Sequence, residues 1–268
     1  MIFSTLLAFD IVRNDAYIDF LKENAKDKII VDCGSGSGIW TWVALYYGAA
    51  HVYCVDVHQP TINHLTTLYK NNSKVSVLKL DLFKDQLPAG DFYIHEIFAS
   101  DPFSEGLISF LKNCRKQNIS SIYPNRLTLY HSTEITVKKK DIEYNLDNLQ
   151  SCIKDFLKYM TDTYQKDLDY DFYISKLTSQ YYNFSNKDKI WEGDLLDLLD
   201  APNLNIKKEG YISWDANLDN FSYSSTNENF NNWNIGFSAS TKLKKTYIKF
   251  LRMHNDDALR FNCTYYIT

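Results

Sequence analysis

The sequence predicts an α/β protein with an open, mostly parallel sheet of the Rossmann type and helices on both faces of that sheet. Three observations predict this class. Short apolar, β-branched runs alternate with segments of helical spacing, a glycine-rich turn follows the first of these runs, and six of the nine glycines fall in the first 106 residues. Strands that alternate with helices form a parallel sheet, because each helix returns the chain to the start of the next strand.

The elements follow one another in a regular order through the first part of the chain. Apolar residues at helical spacing predict helices, and short β-rich runs bounded by glycines or polar residues predict strands. The predicted helices span 9–24, 39–48, 60–71 and 105–117. The predicted strands span 28–33, 51–57, 75–82 and 91–98.

The composition changes after about residue 132, and we expect a first domain at 1–132 and a second at 133–268. Residues 141–200 are rich in Asp, Lys, Tyr and Leu, which predicts a largely helical insertion. From residue 206 onward, runs such as "YISWDANL" and "WNIGFSAS" predict β-strands joined by Asn- and Ser-rich turns.

Composition narrows the class of protein and its partners. A chain of 268 residues with 45% hydrophobic and 15% aromatic residues builds a sizeable core, and a net charge of −4 gives no footprint for nucleic acid or an anionic membrane. The opening "MIFSTLLAF" lacks a basic segment and a cleavage site, and no run has membrane-spanning length. The cysteines form no C-x-x-C pair, which indicates a reducing compartment without disulfides or a structural zinc: Cys33, Cys54, Cys114, Cys152 and Cys263. We expect a soluble, cytoplasmic protein that binds no metal, nucleic acid or membrane.

The first chemical motif is "VDCGSGSG" at 31–38, in which a strand enters three alternate glycines, Gly34, Gly36 and Gly38, directly after Asp32. Glycines at such a turn let the backbone approach a ligand closely, because they have no Cβ. The spacing differs from the dinucleotide fingerprint, and no Walker lysine follows, which disfavours a phosphate ligand. A tight turn without a ligand is the alternative interpretation.

Two acids follow at the ends of the next two predicted strands. Asp56 closes the second strand, where it is placed to accept hydrogen bonds from ribose hydroxyls. Asp81 closes the third, within reach of an adenine edge, and we assign its neighbour Leu82 to the same site. With the glycine turn, these residues suit a nucleoside that has no phosphates and a cationic tail, which describes S-adenosylmethionine.

A pair of glutamates follows in "IHEIFASDPFSEG" at 94–106. Glu96 and Glu105 stand nine positions apart in an otherwise apolar and small-residue stretch, close to the end of a predicted strand. Acids in this position are either solvated loop residues or a pair directed at one cationic substrate. The residues of this stretch alone leave both possibilities open.

These motifs resemble a known family. The stretch "KDKIIVDCGSGSGIWTWVALYYGAAHVYCVD" resembles the signature of class I S-adenosylmethionine-dependent methyltransferases. Upstream, "LLAFDIVRNDAY" resembles the D-x-x-R helix of the protein arginine methyltransferase family, through Asp10 and Arg13.

Two further segments narrow the resemblance to that family. "HEIFASDPFSEG" resembles its double-glutamate loop, in a form closer to the monomethylating branch and bacterial relatives. "IYPNRLTLY" resembles its P-x-R-x-x-x-Y strand, through Pro124, Arg126 and Tyr130. The resemblance covers roughly residues 4–131.

The resemblance implies a class I methyltransferase that transfers a methyl group from S-adenosylmethionine to a guanidino nitrogen. It implies that Arg13 binds the cofactor carboxylate and that Glu96 and Glu105 clamp the guanidinium. The resemblance also implies arginine as the substrate, in a protein, in a peptide or free, and a homodimer as the assembly. Where the family has a dimerisation arm and a β-barrel, we expect the helical insertion and a short, partial barrel.

Some features depart from the family and keep other functions open. The family's threonine-histidine-tryptophan loop has no clear counterpart, since His254 lies in a different context. A methyltransferase of the same fold acting on another small-molecule amine or hydroxyl remains an alternative. A non-catalytic cofactor-binding or partner protein and a structural module without a cofactor are the others. We interpret Trp40 and His95 as core residues.

Overall fold

The computed structural model describes residues 11–98, 103, 105–132, 134–142, 149–164, 172–185, 188–200, 209–224, 234–239 and 260–262. Three residues named above, Asp10, His254 and Cys263, lie outside the described residues.

The described elements alternate between strands and helices at first and are mainly strands later. The helices are α1 (Ile11–Asn24), α2 (Ile39–Tyr46), α3 (Gln59–Leu68), α4 (Leu107–Lys116), α5 (Ser151–Tyr164) and a 3₁₀ helix (Leu195–Asp200). The earlier strands are β1 (Ile29–Cys33), β2 (His51–Asp56), β3 (Val75–Lys79), β4 (Phe92–His95), β5 (Ile122–Tyr123) and β6 (Arg126–Ser132). The later strands are β7 (Glu134–Ile142), β8 (Phe172–Ser185), β9 (Asp188–Asp194), β10 (Glu209–Leu218), β11 (Phe221–Ser224), β12 (Asn234–Ala239) and β13 (Arg260–Asn262).

The first sheet is parallel, with the strand order β3-β2-β1-β4-β5, and it confirms the predicted α/β class. The chain builds outward from β1 to β3 on one side and then returns to place β4 and β5 on the other. In sheets of this kind, a crevice for ligands lies outside the carboxyl ends of the strands where the order reverses. Here that point lies between β1 and β4.

Two antiparallel sheets follow and confirm the β-rich character of the second part. One has the order β11-β10-β6-β9, with β13 paired to β10, and the other has the order β12-β8-β7. Only Pro124 and Asn125 separate β5 from β6, so the chain passes directly from the parallel sheet into an antiparallel one. Trp214 of β10 is fully buried and its ring packs against Phe98, just beyond the end of β4.

Two predictions about individual elements were wrong. The third strand ends at Lys79 and not at residue 82, because the chain turns at Asp81. The backbone N–H of Asp85 donates a hydrogen bond to the Asp81 carbonyl and closes this turn. Residues 172–185 and 188–194 form β8 and β9 and are not helical. The charged and tyrosine-rich composition suggested helix, but β8 pairs with β7 on one side and β12 on the other, and this pairing decides its conformation.

Gly38 joins the glycine turn to α2 and requires glycine for two reasons. Its φ of +80° lies in the left-handed region. A Cβ at this position would lie 2.8 Å from Leu65 Cδ2 and 3.0 Å from Tyr69 Cε2. The Tyr69 hydroxyl also donates a hydrogen bond of 2.7 Å to the Gly38 carbonyl, so the aromatic ring is fixed where the clash would occur.

We therefore expect Gly38→Ala to lower the free energy of unfolding by about 2–4 kcal/mol, the sum of backbone strain and overpacking. Gly48→Ala is the matched control, since Gly48 has a φ of +91° but its nearest neighbour, Lys26 Cγ, lies 3.7 Å from an added Cβ. This control retains only the strain, about 1–2 kcal/mol. Urea unfolding of both variants measures the difference, and equal losses would contradict the packing argument.

Candidate functional site

The candidate site lies at the carboxyl edge of the parallel sheet, between β1 and β4. Gly34 begins the glycine loop directly after β1, and Glu96 follows β4 directly. The strands pair in parallel with Cys33 opposite His95, so the two following residues leave the sheet side by side. The sheet thus brings the predicted cofactor loop and one predicted catalytic glutamate to the same edge.

Helix α1 fixes the position of Glu96. Arg13 is 2% exposed, and its Nη1 donates to Glu96 Oε1 at 2.7 Å. Tyr17, one helical turn later, donates from its hydroxyl to the carbonyl of His95. The Tyr17 ring stacks on Trp40 with 4.4 Å between ring centroids, which confirms the interpretation of Trp40 as a core residue. Two side chains on one face of α1 therefore hold the end of β4.

Asp56 connects the end of β2 to the glycine loop. Its carboxylate accepts hydrogen bonds from the backbone N–H of Gly36 at 3.3 Å and of His58 at 2.8 Å. The loop is also bound to β2 through the backbone, since the N–H groups of Gly34 and Ser35 donate to the Val55 carbonyl. These hydrogen bonds fix the position of the glycine loop relative to Asp56.

Gly34 and Leu82 lie close together on this edge. Gly34 has a φ of +81°, and a Cβ added to it would lie 3.9 Å from Leu82 Cδ1. Leu82 is held in turn by α4, because the buried Asn113 donates from its side chain to the Leu82 carbonyl at 2.8 Å. The turn after β3 therefore borders the glycine loop, as the prediction for Leu82 requires.

Asp81 is engaged within its own turn. One carboxylate oxygen accepts from the backbone N–H of Phe83 at 2.9 Å, and the other lies 2.9 Å from Lys84 Nζ. The hydrogen bonds from Lys84 and Phe83 lower the pKa of Asp81, so the group is charged at neutral pH. A contact between Asp81 and an adenine edge stays a prediction.

Asp32 is buried beneath the loop. Its Oδ2 accepts from the hydroxyl of Thr41 at 2.7 Å and from the backbone N–H of the same residue at 3.1 Å. Burial raises the pKa of Asp32 to about 7, although the bonds from Thr41 oppose the shift. The structure therefore shows Asp32 joining β1 to α2, and its contact with a cofactor stays a prediction.

Glu105 lies exposed immediately before Gly106 and the start of α4. Residues 99–102 and 104, between the two glutamates, lie outside the described residues. Gly106 has a φ of +89°, a left-handed backbone conformation in which any other residue would be strained. A joint grip of Glu96 and Glu105 on one ligand stays a prediction.

His95 is a core residue, as we interpreted it. It is 1% exposed, and its ring packs against Phe98 and Phe110. Burial lowers the pKa of His95 to about 3, while the Pro124 carbonyl opposes the shift. The imidazole is therefore neutral at physiological pH, and its Nδ1 accepts a long hydrogen bond of 3.4 Å from the Ile97 N–H.

The residues at this edge fit S-adenosylmethionine. Asp56 supplies an acceptor for hydroxyl groups, and Arg13 supplies a buried cation for a carboxylate. Gly34 leaves the backbone open to close approach at a position where other residues would be strained. Within the described ranges, no group of three His, Cys, Asp or Glu side chains is arranged to hold a metal ion. In the same part of the chain, no helix has the length and apolar character needed to cross a membrane.

Fold and site together define an α/β protein whose parallel sheet carries the glycine loop, Asp56 and the Arg13–Glu96 pair at its carboxyl edge. No model of a known protein family matches the chain. The probable protein arginine N-methyltransferase 1.2 of Arabidopsis thaliana is 28% identical over 162 residues, which cover 54% of this chain and 44% of that protein. Protein arginine N-methyltransferase 8-B of Danio rerio is 30% identical over 126 residues, which cover 44% of this chain and 29% of that protein.

These matches confirm the resemblance that the motifs indicate: part of the chain is similar in sequence to protein arginine N-methyltransferases. The matched part spans less than half the length of these two relatives. Among solved structures, protein arginine methyltransferase 10 of Arabidopsis thaliana has a TM-score of 0.49 and 16% identity, with 82% of this chain and 76% of that chain covered. The fold assignment rests on the strand order and not on this similarity.

The sequence left several supporting residues unassigned. Tyr17 fixes the end of β4, Thr41 fixes the carboxyl of Asp32, and Asn113 fixes the turn after β3. Tyr17 had one available signal, since it follows Arg13 at a spacing of four on a predicted helix. Thr41 lies in α2, beyond the glycine loop from Asp32, and Asn113 lies 31 positions from Leu82, so no helical or strand spacing identifies either contact.

The raised pKa of Asp32 predicts a specific pH dependence of stability. The folded state binds this proton more tightly than the unfolded state, whose carboxyl has the ordinary value of 3.8. Stability due to Asp32 is therefore present at low pH and is lost as the pH rises from about 4 to about 7. We expect Asp32→Asn, which cannot ionise, to gain stability relative to the wild type across this range.

Urea unfolding at several pH values measures this difference between the variant and the wild type. Thr41→Val is the control, because it removes a hydrogen bond that favours the charged carboxylate and so moves the transition to higher pH. A difference between Asp32→Asn and the wild type that is constant with pH would show that Asp32 does not titrate in this range.

Proposed function

We propose that this chain is an S-adenosylmethionine-dependent methyltransferase that methylates a guanidino nitrogen of arginine. The observation that supports this most directly is the contact between Arg13 and Glu96 at the carboxyl edge, beside the glycine loop. It places the cation proposed for the cofactor carboxylate next to the acid proposed for the substrate. The relationship to protein arginine N-methyltransferases supports the same assignment.

Glu96 is suited to bind a cationic nitrogen group. Arg13 occupies one of its carboxylate oxygens, and the side chain retains 17% exposure, so it lies at the surface of the site. The neighbouring guanidinium also favours the charged form of the carboxylate. A charged, partly shielded carboxylate forms strong paired hydrogen bonds with a guanidinium.

A substrate guanidinium, with a pKa above about 12, arrives charged and its lone pair is delocalised. Hydrogen bonds to Glu96 and Glu105 would concentrate the positive charge on the nitrogens that they hold. The remaining nitrogen would then be the better nucleophile and would be turned toward the cofactor. Rate enhancement would come mainly from positioning and electrostatics.

When bound, S-adenosylmethionine would supply an electrophilic methyl group on its sulfonium, with sulfur as the leaving group, and the guanidino nitrogen that accepts the methyl would release a proton to solvent. Arg13 and Asp56 would bind the carboxylate and the ribose hydroxyls respectively. Asp32, Gly34, Gly36, Gly38, Asp81 and Leu82 complete the proposed cofactor set.

We propose arginine in a protein, a peptide or free form as the substrate, and a homodimer as a possible assembly. The names of the relatives refer to protein arginine. Methylation of another amine or a hydroxyl compound, or cofactor binding without transfer, would each be detected by the assay that follows.

We expect Glu96→Gln to lower the rate of methyl transfer to an arginine peptide by about 100-fold or more, because the amide keeps the shape but loses the charge that binds the guanidinium. Binding of S-adenosylhomocysteine should change only a few-fold, because Arg13 still donates to the amide oxygen and the carboxylate of the bound ligand would then compensate its charge. A labelled methyl-transfer assay and calorimetry measure the two effects separately.

Glu192→Gln is the matched control, because Glu192 lies exposed on β9 of an antiparallel sheet and pairs with Lys189. It should retain the wild-type rate. Transfer by Glu96→Gln at the wild-type rate would refute the assignment of Glu96. Cofactor binding by the wild type without transfer to any guanidino compound would favour the non-catalytic alternative.

A further inference from the structure

Helix α5 belongs to the later part of the chain but packs against the helices of the parallel sheet. Cys152, Ile153 and Phe156 form its buried face. The indole Nε1 of Trp42 on α2 donates to the Cys152 carbonyl at 2.9 Å, and the Tyr159 ring stacks on Trp42 with 4.8 Å between centroids. This buried face of α5 is therefore covered by its own chain.

The last residue of α5 reaches the glycine loop through one intermediate. The hydroxyl of Tyr164 lies 2.6 Å from Nδ1 of His64 on α3, and the two rings are stacked at an angle of 17°. The other ring nitrogen of His64, Nε2, lies 3.1 Å from the carbonyl of Ser37. Ser37 stands between Gly36 and Gly38 in the proposed cofactor loop.

The direction of these hydrogen bonds follows from the chemistry of the partners. A carbonyl only accepts, so His64 Nε2 must donate its proton to Ser37. Burial lowers the pKa of His64, so the neutral ring accepts at Nδ1 from the Tyr164 hydroxyl. The hydroxyl has one proton, and the backbone carbonyl of His64, 3.2 Å away, is a second and more distant acceptor that shares it.

We propose that Tyr164 and His64 are positioning residues for the cofactor loop: the Tyr164 hydroxyl orients the His64 ring, and the ring fixes the Ser37 carbonyl. The proposal rests on the proposed function in one respect, namely that this loop binds S-adenosylmethionine. The loop is then held from two sides, by Asp56 through Gly36 N–H and by α5 through His64. Helix α5 thereby links the later part of the chain to cofactor affinity.

A matched pair of variants tests the proposal. Tyr164→Phe removes the hydroxyl that orients His64. Tyr159→Phe removes a hydroxyl of the same helix that donates to the Leu68 carbonyl, and it keeps the ring that packs near Tyr69. Each variant loses one hydroxyl group and keeps its ring, so their effects on the docking of α5 should be comparable.

Calorimetry with S-adenosylhomocysteine should give a Kd about three- to tenfold higher for Tyr164→Phe, and a change below about twofold for Tyr159→Phe. His64→Ala should weaken binding at least as much as Tyr164→Phe. In the His64→Ala background, Tyr164→Phe should not raise the Kd further, because the hydroxyl reaches the Ser37 carbonyl only through the ring, and its remaining contact with the backbone carbonyl at position 64 does not involve the loop. Equal Kd values for the two tyrosine variants, or additive effects with His64→Ala, would overturn the proposal.

Hydrogen exchange in the ligand-free protein separates this proposal from the proposed function. The peptide covering residues 34–38 should exchange faster in Tyr164→Phe than in Tyr159→Phe or the wild type. Equal exchange in the three proteins would overturn the positioning role whether or not the cofactor binds. Faster exchange together with a wild type that does not bind S-adenosylhomocysteine would support the positioning of the loop and overturn the assignment of its ligand.

Discussion

The site depends on the ion pair between Arg13 and Glu96. A guanidinium as buried as that of Arg13 is costly unless an anion compensates it, and Glu96 supplies that anion at 2.7 Å. The pair therefore requires α1 to lie against the end of β4, and the bond from Tyr17 to the His95 carbonyl fixes the same junction. The need to compensate this charge therefore also fixes the geometry of the site, since moving α1 or the end of β4 would leave a buried charge uncompensated.

Around this pair, the structure supports the glycine loop from several directions. Asp56 binds it from β2, the buried carboxyl of Asp32 binds the start of α2 through Thr41, and His64 binds it from α3. Each support uses a buried polar group with a defined partner, which is more directional than apolar packing. The loop is thereby arranged before any ligand arrives, and a rigid site loses less free energy in ordering itself on binding.

The sequence predicted the parallel sheet well because its signals are local: apolar runs, helical spacing and glycines at the turn. It also identified the residues at the carboxyl edge, since a parallel sheet places strand ends together. It failed for β8, whose conformation depends on pairing with distant strands, and for the turn at Asp81, whose carboxylate is satisfied within the turn. The contact between Tyr164 and His64 joins residues that are 100 positions apart, and no local pattern encodes such a contact.

The proposed activity is methyl transfer to a guanidino nitrogen at this edge of the sheet. The most direct measurement is the identity of the product formed by the wild-type protein. The chain would be incubated with S-adenosylmethionine carrying a labelled methyl group and with an arginine peptide, and the hydrolysed product analysed by mass spectrometry. We expect the product to be labelled arginine that is methylated on a terminal guanidino nitrogen. Label found only on another amine or on a hydroxyl group, or no transfer at all, would contradict it.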